Sequence, residues 1–247
     1  MNIYISIISH GHENILKKTS LIKNISKNNI VIIKNNKESS KGKLQEIFKS
    51  KNIHIIDKDY NLGFGHNNNY IYDYCLKNFE MKDNDFFCVI NPDIVINGDI
   101  LHSITNNMKI HNLELSTIPL YLDNEYQNRD NSIRKFPTLS TFILSFLGFN
   151  KHLPIMTHEK YMNADWAAGS FLIFKSSLYK KLNGFDKKYF MYCEDIDICY
   201  RAKKYHSGLV VFPEWKGIHL AQRDNRKIFS KHFIWHIKSI FTYLKSR

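Results

Sequence analysis

Residues 86–93 of the chain read FFCVINPD, five apolar residues followed by an Asn-Pro-Asp turn. A short apolar run that ends at a turn is typical of a strand buried on both faces of a sheet. Similar isoleucine-rich runs lie upstream at 3–9, 30–33 and 53–56. The segments between and after them have helical spacing, at 13–23, 43–50 and 67–79. Strands that alternate with helices predict an α/β fold with a mainly parallel sheet flanked by helices.

The loops after these strands are the expected place for a ligand, because ligands of open α/β sheets bind beyond the carboxyl ends of the strands. These loops cover residues 9–12, 34–40, 60–69 and 91–94. The second half of the chain is expected to be irregular and aromatic-rich from 120 to 165. A strand at 169–174, a turn at Asn183-Gly184, a helix at 194–204 and a last strand at 209–212 are predicted to follow.

Length and composition favour one folded domain with an appended tail. The chain has 247 residues, 43% of them hydrophobic, which excludes a disordered protein. We expect a domain over 1–222, with halves 1–118 and 119–222, and a separate tail over 223–247. The formal net charge of +12 at pH 7 favours an anionic partner: a nucleic acid, a nucleotide phosphate or an anionic membrane surface.

Targeting and cysteine patterns predict a reduced, cytoplasmic protein that touches a membrane without crossing it. No apolar run approaches the roughly 18 residues that a spanning helix needs. The N-terminus is strand-like and lacks the basic region that begins a signal peptide. The cysteines form no C-x-x-C pair and no ladder typical of disulfides: Cys75, Cys88, Cys193 and Cys199.

The tail is strongly basic, with seven Lys or Arg residues and one acid, Asp224, from residue 223 onward. Apolar residues recur in it at spacings of three and four, which predicts a helix with one apolar face: Phe229, Phe233, Ile237, Ile240, Phe241 and Leu244. With Trp235 beside this face, the pattern is typical of a helix that binds at a membrane interface. The alternative is a terminal helix that packs on the domain and keeps its basic side in water.

Two of the strand-end loops carry candidate chemistry. Asn91-Pro92-Asp93 places a carboxylate directly after a buried strand, where it can hold Mg²⁺ or Mn²⁺ against a diphosphate; the same residues also make an ordinary turn. The loop at 61–69 has two glycines that let backbone approach a ligand, and Asn67 is expected to cap the next helix. Its spacing matches neither a dinucleotide-binding nor a phosphate-binding glycine motif.

The acidic cluster at 194–197 opens a predicted helix and follows an aromatic run at 189–192. Acids in a first turn commonly serve the helix dipole. Burial by the aromatic run would instead raise the pKa of one carboxylate towards that of a general base. Asp197 is also expected to pair with Arg201, four residues along the helix. Among the histidines we single out His219, just beyond the last strand, as a metal ligand.

These motifs and a few others occur in a fixed order along nearly the whole chain. They are Ser9-His10, Asn61-x-Gly63-Phe64-Gly65-x-x-x-Asn69, Asn91-Pro92-Asp93, Arg134-Lys135-Phe136-Pro137, Trp166-Ala167-Ala168-Gly169-Ser170-Phe171, Gly184-Phe185-Asp186, Phe190-Met191-Tyr192-Cys193-Glu194-Asp195-Ile196-Asp197, Arg201 and His219. The ordered set resembles glycosyltransferase family 2, and within it the bacterial rhamnosyltransferases of O-antigen and related lipopolysaccharide assembly. The resemblance implies a GT-A fold with a Rossmann-like sheet, and an inverting, metal-assisted sugar transfer from a nucleotide diphosphate donor. The most similar enzymes move L-rhamnose from dTDP-β-L-rhamnose to N-acetylglucosamine on undecaprenyl diphosphate.

The resemblance assigns roles by position. Asp195 matches the base that deprotonates the acceptor hydroxyl. Asp93 matches the second Asp of the family's D-x-D motif, which binds the metal and the donor diphosphate. His219 matches a histidine that assists metal or diphosphate binding. Asn91 stands where many members have Asp. The residues implied to line the donor pocket are Ser9, Asn35, Asn61, Gly63, Phe64, Gly65, Asn69, Asn91 and Asp93, with Asn35 where an Asp often reads the nucleobase. Those implied to flank the sugar and acceptor are Trp166, Gly169, Ser170, Glu194 and Arg201.

The expected partners are a nucleotide sugar, a polyprenyl-diphosphate-linked acceptor and the anionic inner face of the cell membrane, with Mg²⁺ or Mn²⁺ as cofactor and no nucleic acid. Positive charge for the departing diphosphate is expected from Arg201 or from the cations at 223–227. Three alternatives remain open: the same fold with UDP-galactofuranose or a UDP-N-acetylhexosamine, a catalytically idle glycan-binding protein, and a basic nucleic-acid-binding protein, which would lack a recognisable reading motif.

Overall fold

The computed structural model describes residues 1–19, 21–97, 99–146, 149, 159–220 and 231–246. Its strands are β1 Ile3–Ser9, β2 Ile30–Asn35, β3 Ile53–Ile56, β4 Phe86–Ile90, β5 Ile94–Val95, β6 Leu115–Thr117, β7 Leu120–Tyr121, β8 Ile133–Arg134, β9 Met162–Ala164, β10 Trp166–Ala167, β11 Phe171–Lys175, β12 Leu209–Val211 and β13 Gly217–His219. Its helices are α1 Glu13–Lys18, α2 Leu21–Ile25, α3 Lys43–Ile47, α4 Phe64–Phe79, α5 Asp99–Ile110, α6 Leu139–Phe146, α7 Ser176–Lys181, α8 Glu194–Lys204 and α9 Lys231–Ser246.

The central sheet has eight strands in the order β3-β2-β1-β4-β11-β6-β12-β9. β1 pairs in parallel with β2 and β4, and β2 pairs in parallel with β3, as the alternation of strands and helices predicts. β11 runs antiparallel between β4 and β6. A strand from the second half of the chain therefore lies beside the strand that carries the Asn-Pro-Asp turn, and one sheet extends through both predicted halves.

Two small sheets bring later segments to the end of β4. β13 pairs antiparallel with β5, which places His219 opposite Ile94, the residue after Asp93. β8 pairs antiparallel with β10, which places Arg134 opposite Trp166. Residues far apart in the sequence therefore meet where β4 and β11 adjoin.

The sheet is covered on both faces, which explains why β4 reads as a continuous apolar run. Phe87 and Val89 pack into one hydrophobic cluster with residues of α4, α7 and α8. Phe86, Cys88 and Ile90 pack into a second cluster with residues of α2 and α5. Successive strand residues point to opposite faces, so a strand with a cluster on each side needs apolar residues throughout. All four cysteines are buried and free.

Helix α4 begins earlier than predicted. It starts at Phe64, directly after Gly63, rather than at Asn67. Asn67 lies in the first turn, where its Nδ2 donates hydrogen bonds to the carbonyl oxygens of Leu62 and Gly63 at 2.9 and 3.0 Å. The expectation that Asn67 caps the helix is therefore wrong, because its side chain bonds to carbonyl groups rather than to the free N–H groups that a cap satisfies.

The tail helix α9 packs on the domain. Its residues Ser239, Ile240 and Tyr243 are buried, while Lys238 and Lys245 are exposed, as in the packed alternative for the tail. The predicted apolar residue Phe229 and the cations at 223–227 lie outside the described residues. Within the described ranges, the chain has no helix of the length and apolar character needed to span a membrane.

Candidate active site

The Asn-Pro-Asp turn after β4 is fixed by backbone contacts to both neighbouring segments. The N–H of Asn91 donates to the carbonyl oxygen of Ser170 at 2.9 Å, just before β11. The N–H of Leu220 donates to the carbonyl oxygen of Asp93 at 2.9 Å, just after β13. The Asp93 side chain is mostly buried, with 18% of its surface exposed. These contacts hold one carboxylate at the carboxyl end of the central parallel strand.

The imidazole of His219 lies between two carboxylates. Its Nε2 is 3.4 Å from Oδ2 of Asp93, and its Nδ1 is 2.8 Å from Oδ2 of Asp130. Burial acts to lower the pKa of His219, but the hydrogen bonds and charges of the two carboxylates outweigh it and raise that pKa to about 9. Asp130 was not a sequence candidate. It lies in the segment expected to be irregular, and nothing in the sequence indicates that it meets a histidine 89 positions away.

Asp195 lies in the first turn of α8 and is half-buried. Its Oδ2 accepts a hydrogen bond from the N–H of Gly169 at 3.2 Å, and its Oδ1 accepts one from the N–H of Ile196 at 2.9 Å. Burial raises the pKa of Asp195, while these hydrogen bonds and the charge of Arg134 act to lower it. Burial thus raises the pKa of a carboxylate in this cluster, and the role of that carboxylate as a general base stays a prediction.

The neighbouring Glu194 is more deeply buried than Asp195, with 5% of its surface exposed. Burial, and then the charge of Asp195, raise the pKa of Glu194. Its Oε2 has no hydrogen-bond partner among the described residues. Two adjacent carboxyl groups in one low-dielectric site do not ionise together readily, so the more exposed Asp195 is the one suited to exchange a proton with a ligand.

A short segment before β11 links the carboxylate of Asp195 to the backbone of the Asn-Pro-Asp turn. Gly169 donates its N–H to Asp195, and the next residue, Ser170, accepts the N–H of Asn91. Arg134 lies near both Asp195 and Asp130, since its positive charge acts to lower the pKa of each. The structure therefore brings together, around residues 169–170, motifs that lie more than 100 positions apart.

The glycine loop at 61–65 lies against the same region. The N–H of Phe64 donates to the carbonyl oxygen of Phe190 at 3.2 Å, in the loop before α8. A Cβ atom at Gly63 would lie 2.1 Å from that oxygen, and one at Gly169 would lie 2.7 Å from the Phe64 ring. Gly65 similarly packs on Phe185. Glycine is needed because backbone and ring occupy the space of a side chain, and this close packing joins the predicted donor loop to the loop that leads to Asp195.

The predicted donor residues at the end of β2 are held in place by hydrogen bonds of their side chains. Asn35 is buried, and its Nδ2 donates to Oδ1 of Asp57 at 2.7 Å. Asn36, which sequence reasoning missed, bonds through its side chain to both the N–H and the carbonyl oxygen of Leu62 at 2.9 Å. Its own carbonyl oxygen accepts the N–H of Asn61, a residue with a φ of 60°. Asn36 therefore fixes the start of the 61–65 loop.

Three further candidates use their side chains to hold the domain together. Ser9 is buried, and its Oγ accepts the N–H of His12 at 3.1 Å. Asn69 accepts hydrogen bonds from the Tyr179 hydroxyl and the Phe185 N–H, and donates to the Phe185 carbonyl oxygen. The indole Nε1 of Trp166 donates to the carbonyl oxygen of Lys135 at 2.9 Å, and Arg134 lies 5.3 Å above its ring. We interpret these three as residues that position the loops around them.

Arg201 does not supply charge to the site. Its Nε donates to Oδ2 of Asp197 at 2.7 Å, as predicted from their spacing. Its Nη1 and Nη2 donate to the carbonyl oxygens of Leu182 and Gly184 at 2.6 and 3.0 Å. The expectation that this guanidinium assists a departing diphosphate is wrong, because all three of its nitrogens are bonded within the domain. Arg134 is instead the arginine that lies near Asp195.

Asp93 and His219 are the candidate metal donors that the structure brings together. Within the described residues, no group of three or more His, Cys, Asp or Glu side chains is arranged to hold a metal. A pair of protein ligands is nonetheless suited to Mg²⁺ or Mn²⁺, since these ions commonly retain water and bind substrate phosphates.

No protein-family model matches the chain. The chain is 39% identical to rhamnosyltransferase WbbL of Escherichia coli (strain K12). The alignment spans 251 residues and covers 98% of this chain and 92% of that protein. It is also 32% identical to the N-acetylglucosaminyl-diphospho-decaprenol L-rhamnosyltransferase of Mycobacterium tuberculosis. This alignment spans 82 residues and covers 33% of this chain and 27% of that protein. Its fold is similar to that in the crystal structure of GalNAc-T7 with UDP, GalNAc and Mn²⁺. The TM-score is 0.59 at 12% sequence identity, and the match covers 89% of this chain and 44% of that chain.

Proposed function

The chain belongs to glycosyltransferase family 2, where it is a GT-A enzyme related to the bacterial rhamnosyltransferases, and from this membership we propose that it transfers L-rhamnose from dTDP-β-L-rhamnose to a lipid-linked N-acetylglucosamine in O-antigen or related polysaccharide synthesis. The name of the mycobacterial relative, which specifies L-rhamnose and a diphospho-decaprenol acceptor, supports this choice. We assign residues 1–118 to the nucleotide-sugar half, 119–222 to the acceptor half and 223–247 to a membrane-associating tail.

One observation carries the proposal. The carboxylate of Asp195 accepts the N–H of Gly169, and the next residue, Ser170, accepts the backbone N–H of Asn91 in the Asn-Pro-Asp turn. An inverting transfer needs a base on one face of the sugar and a leaving diphosphate on the other, and this connection supports Asp195 and the Asn-Pro-Asp turn as the candidates for the two tasks.

In the proposed reaction Asp195 accepts the proton of the acceptor hydroxyl. The acceptor oxygen forms a bond to the anomeric carbon as the bond from that carbon to the diphosphate oxygen breaks, and dTDP leaves with the bonding electrons. A positioned general base is typically worth about 10²–10⁴-fold in rate. The raised pKa of Asp195 suits this role, because it strengthens the carboxylate as a base.

Asp93 and His219 would hold Mg²⁺ or Mn²⁺ beside the donor diphosphate. The carboxylate of Asp93 is the oxygen donor that these ions prefer, and Nε2 of His219 lies 3.4 Å from it at the strand end. Because its two carboxylate partners raise the pKa of His219 to about 9, the imidazole would have to release a proton to join as a ligand. When bound, the metal would neutralise charge on the diphosphate. Asp130 holds the far side of the His219 ring and so fixes its orientation.

The remaining assignments follow the position of each residue around this centre. Asn35 and the 61–65 loop would contact the nucleotide, with Asn91 beside the diphosphate and Gly169, Ser170 and Glu194 beside the sugar and acceptor. We further propose that the enzyme is attached peripherally to the inner face of the cell membrane, where a polyprenyl-linked acceptor would lie.

A donor panel tests the proposal. Wild-type protein is incubated with Mn²⁺, a lipid-linked N-acetylglucosamine mimic and either dTDP-β-L-rhamnose, UDP-galactofuranose or UDP-N-acetylglucosamine, and product mass is measured. We expect a product only with dTDP-β-L-rhamnose, and loss of transfer by about 10²-fold or more in Asp195→Asn with dTDP binding retained. A product from a UDP sugar alone, or full turnover by Asp195→Asn, would refute the donor or the base respectively.

A further inference from the structure

Helices α6 and α9 pack against each other, and α6 leaves large apolar side chains in solvent. The rings of Phe142 in α6 and Tyr243 in α9 lie 6.2 Å apart, and both side chains are buried. On the outer side of this contact, Leu139, Ile143 and Leu144 are 53%, 53% and 48% exposed. Three half-exposed aliphatic side chains on a helix of eight residues exceed the scattered apolar residues of an ordinary surface.

Helix α9 exposes a stripe in which apolar and cationic residues alternate. Ile234 and Phe241 are 63% and 57% exposed, and Lys238 and Lys245 are exposed at the intervening helical positions. In an interfacial helix, apolar side chains enter the acyl boundary while lysine ammonium groups reach the lipid phosphates. This stripe has both kinds of side chain on one side of the helix.

The sequence around both helices favours anionic lipid over other partners. No Asp or Glu occurs between Asp130 and Glu159, or after Asp224, while the same segments contain Lys135 and Lys151 and six cations after Asp224. Acid-free, cation-bearing segments around exposed apolar residues match the charge of an anionic bilayer surface.

We propose that these exposed side chains of α6 and α9, here called the docking face, bind an anionic lipid bilayer. The identity of this partner rests on the proposed function, which requires an acceptor in a membrane. The docking face goes beyond a basic tail, because it adds α6 from the acceptor half and uses α9 as a helix that packs on the domain.

The docking face is connected directly to the loop that precedes the proposed base. Trp235 packs on Phe190 with ring centroids 4.7 Å apart, and the hydroxyl of Ser239 donates to the carbonyl oxygen of Met191 at 2.9 Å. The Tyr192 hydroxyl lies 3.0 Å from Nδ1 of His232. A bilayer on the docking face would therefore lie at a fixed position relative to α8.

Vesicle binding of the full chain tests the proposal. Partition is measured by co-sedimentation with phosphatidylglycerol–phosphatidylcholine vesicles and with phosphatidylcholine vesicles. The variants are Ile143→Glu/Leu144→Glu in α6 and Phe241→Glu in α9. The matched control is Ile110→Glu, since Ile110 is 73% exposed at the end of α5. Each substitution is at an exposed position, and circular dichroism confirms that each variant folds.

We expect wild-type protein to prefer the anionic vesicles, both docking-face variants to lose about tenfold or more in partition, and the control to match wild type. Wild-type partition by the α6 variant, or no preference for anionic vesicles, would overturn the proposal. So would a wild-type dimer in light scattering that the α6 variant converts to a monomer, because the face would then bind a second copy. Transfer to a water-soluble acceptor is measured in parallel: its absence in vesicle-binding protein refutes the proposed function but not the docking face.

Discussion

Replacing Asp130 by asparagine tests how the candidate metal site is built. Oδ2 of Asp130 lies 2.8 Å from Nδ1 of His219, and Nε2 of that ring faces Asp93. A carboxylate on the far nitrogen of a ligating histidine fixes the ring and strengthens it as a ligand. The Asp130→Asn substitution would keep a neutral acceptor of similar size but lose the negative charge.

The expected effect is a loss of about 10–100-fold in Mn²⁺ affinity, the range typical for removal of such an outer carboxylate. This corresponds to about 1.4–2.8 kcal/mol of binding free energy. Binding is measured by titrating free Mn²⁺ with electron paramagnetic resonance in the presence of saturating dTDP. The measurement reports on the metal itself and does not depend on turnover.

The control for net charge is Asp73→Asn, because Asp73 is an exposed carboxylate on α4. Asp93→Asn, which removes a direct ligand, should weaken Mn²⁺ binding more than Asp130→Asn does. If Asp130→Asn unfolds at the same temperature as Asp73→Asn and binds Mn²⁺ equally well, then Asp130 does not support the metal ligand and our interpretation of this contact is incorrect.

Three other substitutions probe the loops around the site. Arg134→Met removes the cation that lowers the pKa of Asp195; because Asp195 must be deprotonated to act, the acid limb of kcat/KM should move to higher pH, and Arg134→Lys should leave it in place. Arg201→Lys loses two carbonyl contacts and should lower the free energy of unfolding by about 1–3 kcal/mol with an unchanged donor KM; a raised KM at unchanged stability would return Arg201 to the site. Gly63→Ala would place a methyl group 2.1 Å from a backbone carbonyl oxygen and should lower both Tm and kcat/KM, whereas Gly208→Ala, in open space, should change neither.

Much of the fold follows from the sequence because the strands are short, apolar and bounded by turns. The predicted bounds of β3 and β4 and of α8 agree with the structure, since each begins or ends at a change from apolar to polar residues. Boundaries set by tertiary contacts were missed. Helix α4 begins at Phe64 because its N–H bonds to Phe190, more than 120 positions away, and no local pattern indicates that contact.

The acidic residues of the candidate site could be predicted from the sequence, but the residues that contact them could not. Asp93 could be singled out because it follows a buried strand directly. The residue pattern indicated the acidic cluster at 194–197 as a whole, and the resemblance to the family assigned Asp195 within it. Asp130 and Asn36 could not, because their roles depend on hydrogen bonds to residues brought near by the sheet. The error at Arg201 has the same origin: a guanidinium near the acidic cluster in sequence is turned towards the carbonyl groups at 182–184 by the fold.

The insertion of β11 between β4 and β6 explains how one short segment can serve both ends of the proposed reaction. Its register places Phe171 opposite Ile90, so the two residues before β11 must lie beside the turn after β4. Ser170 there accepts the N–H of Asn91, and Gly169 holds Asp195. Because these residues are adjacent, the separation between the proposed base and the proposed diphosphate site is set by sheet pairing rather than by a mobile loop. A shift in the β4–β11 register would therefore impair donor binding and proton transfer together.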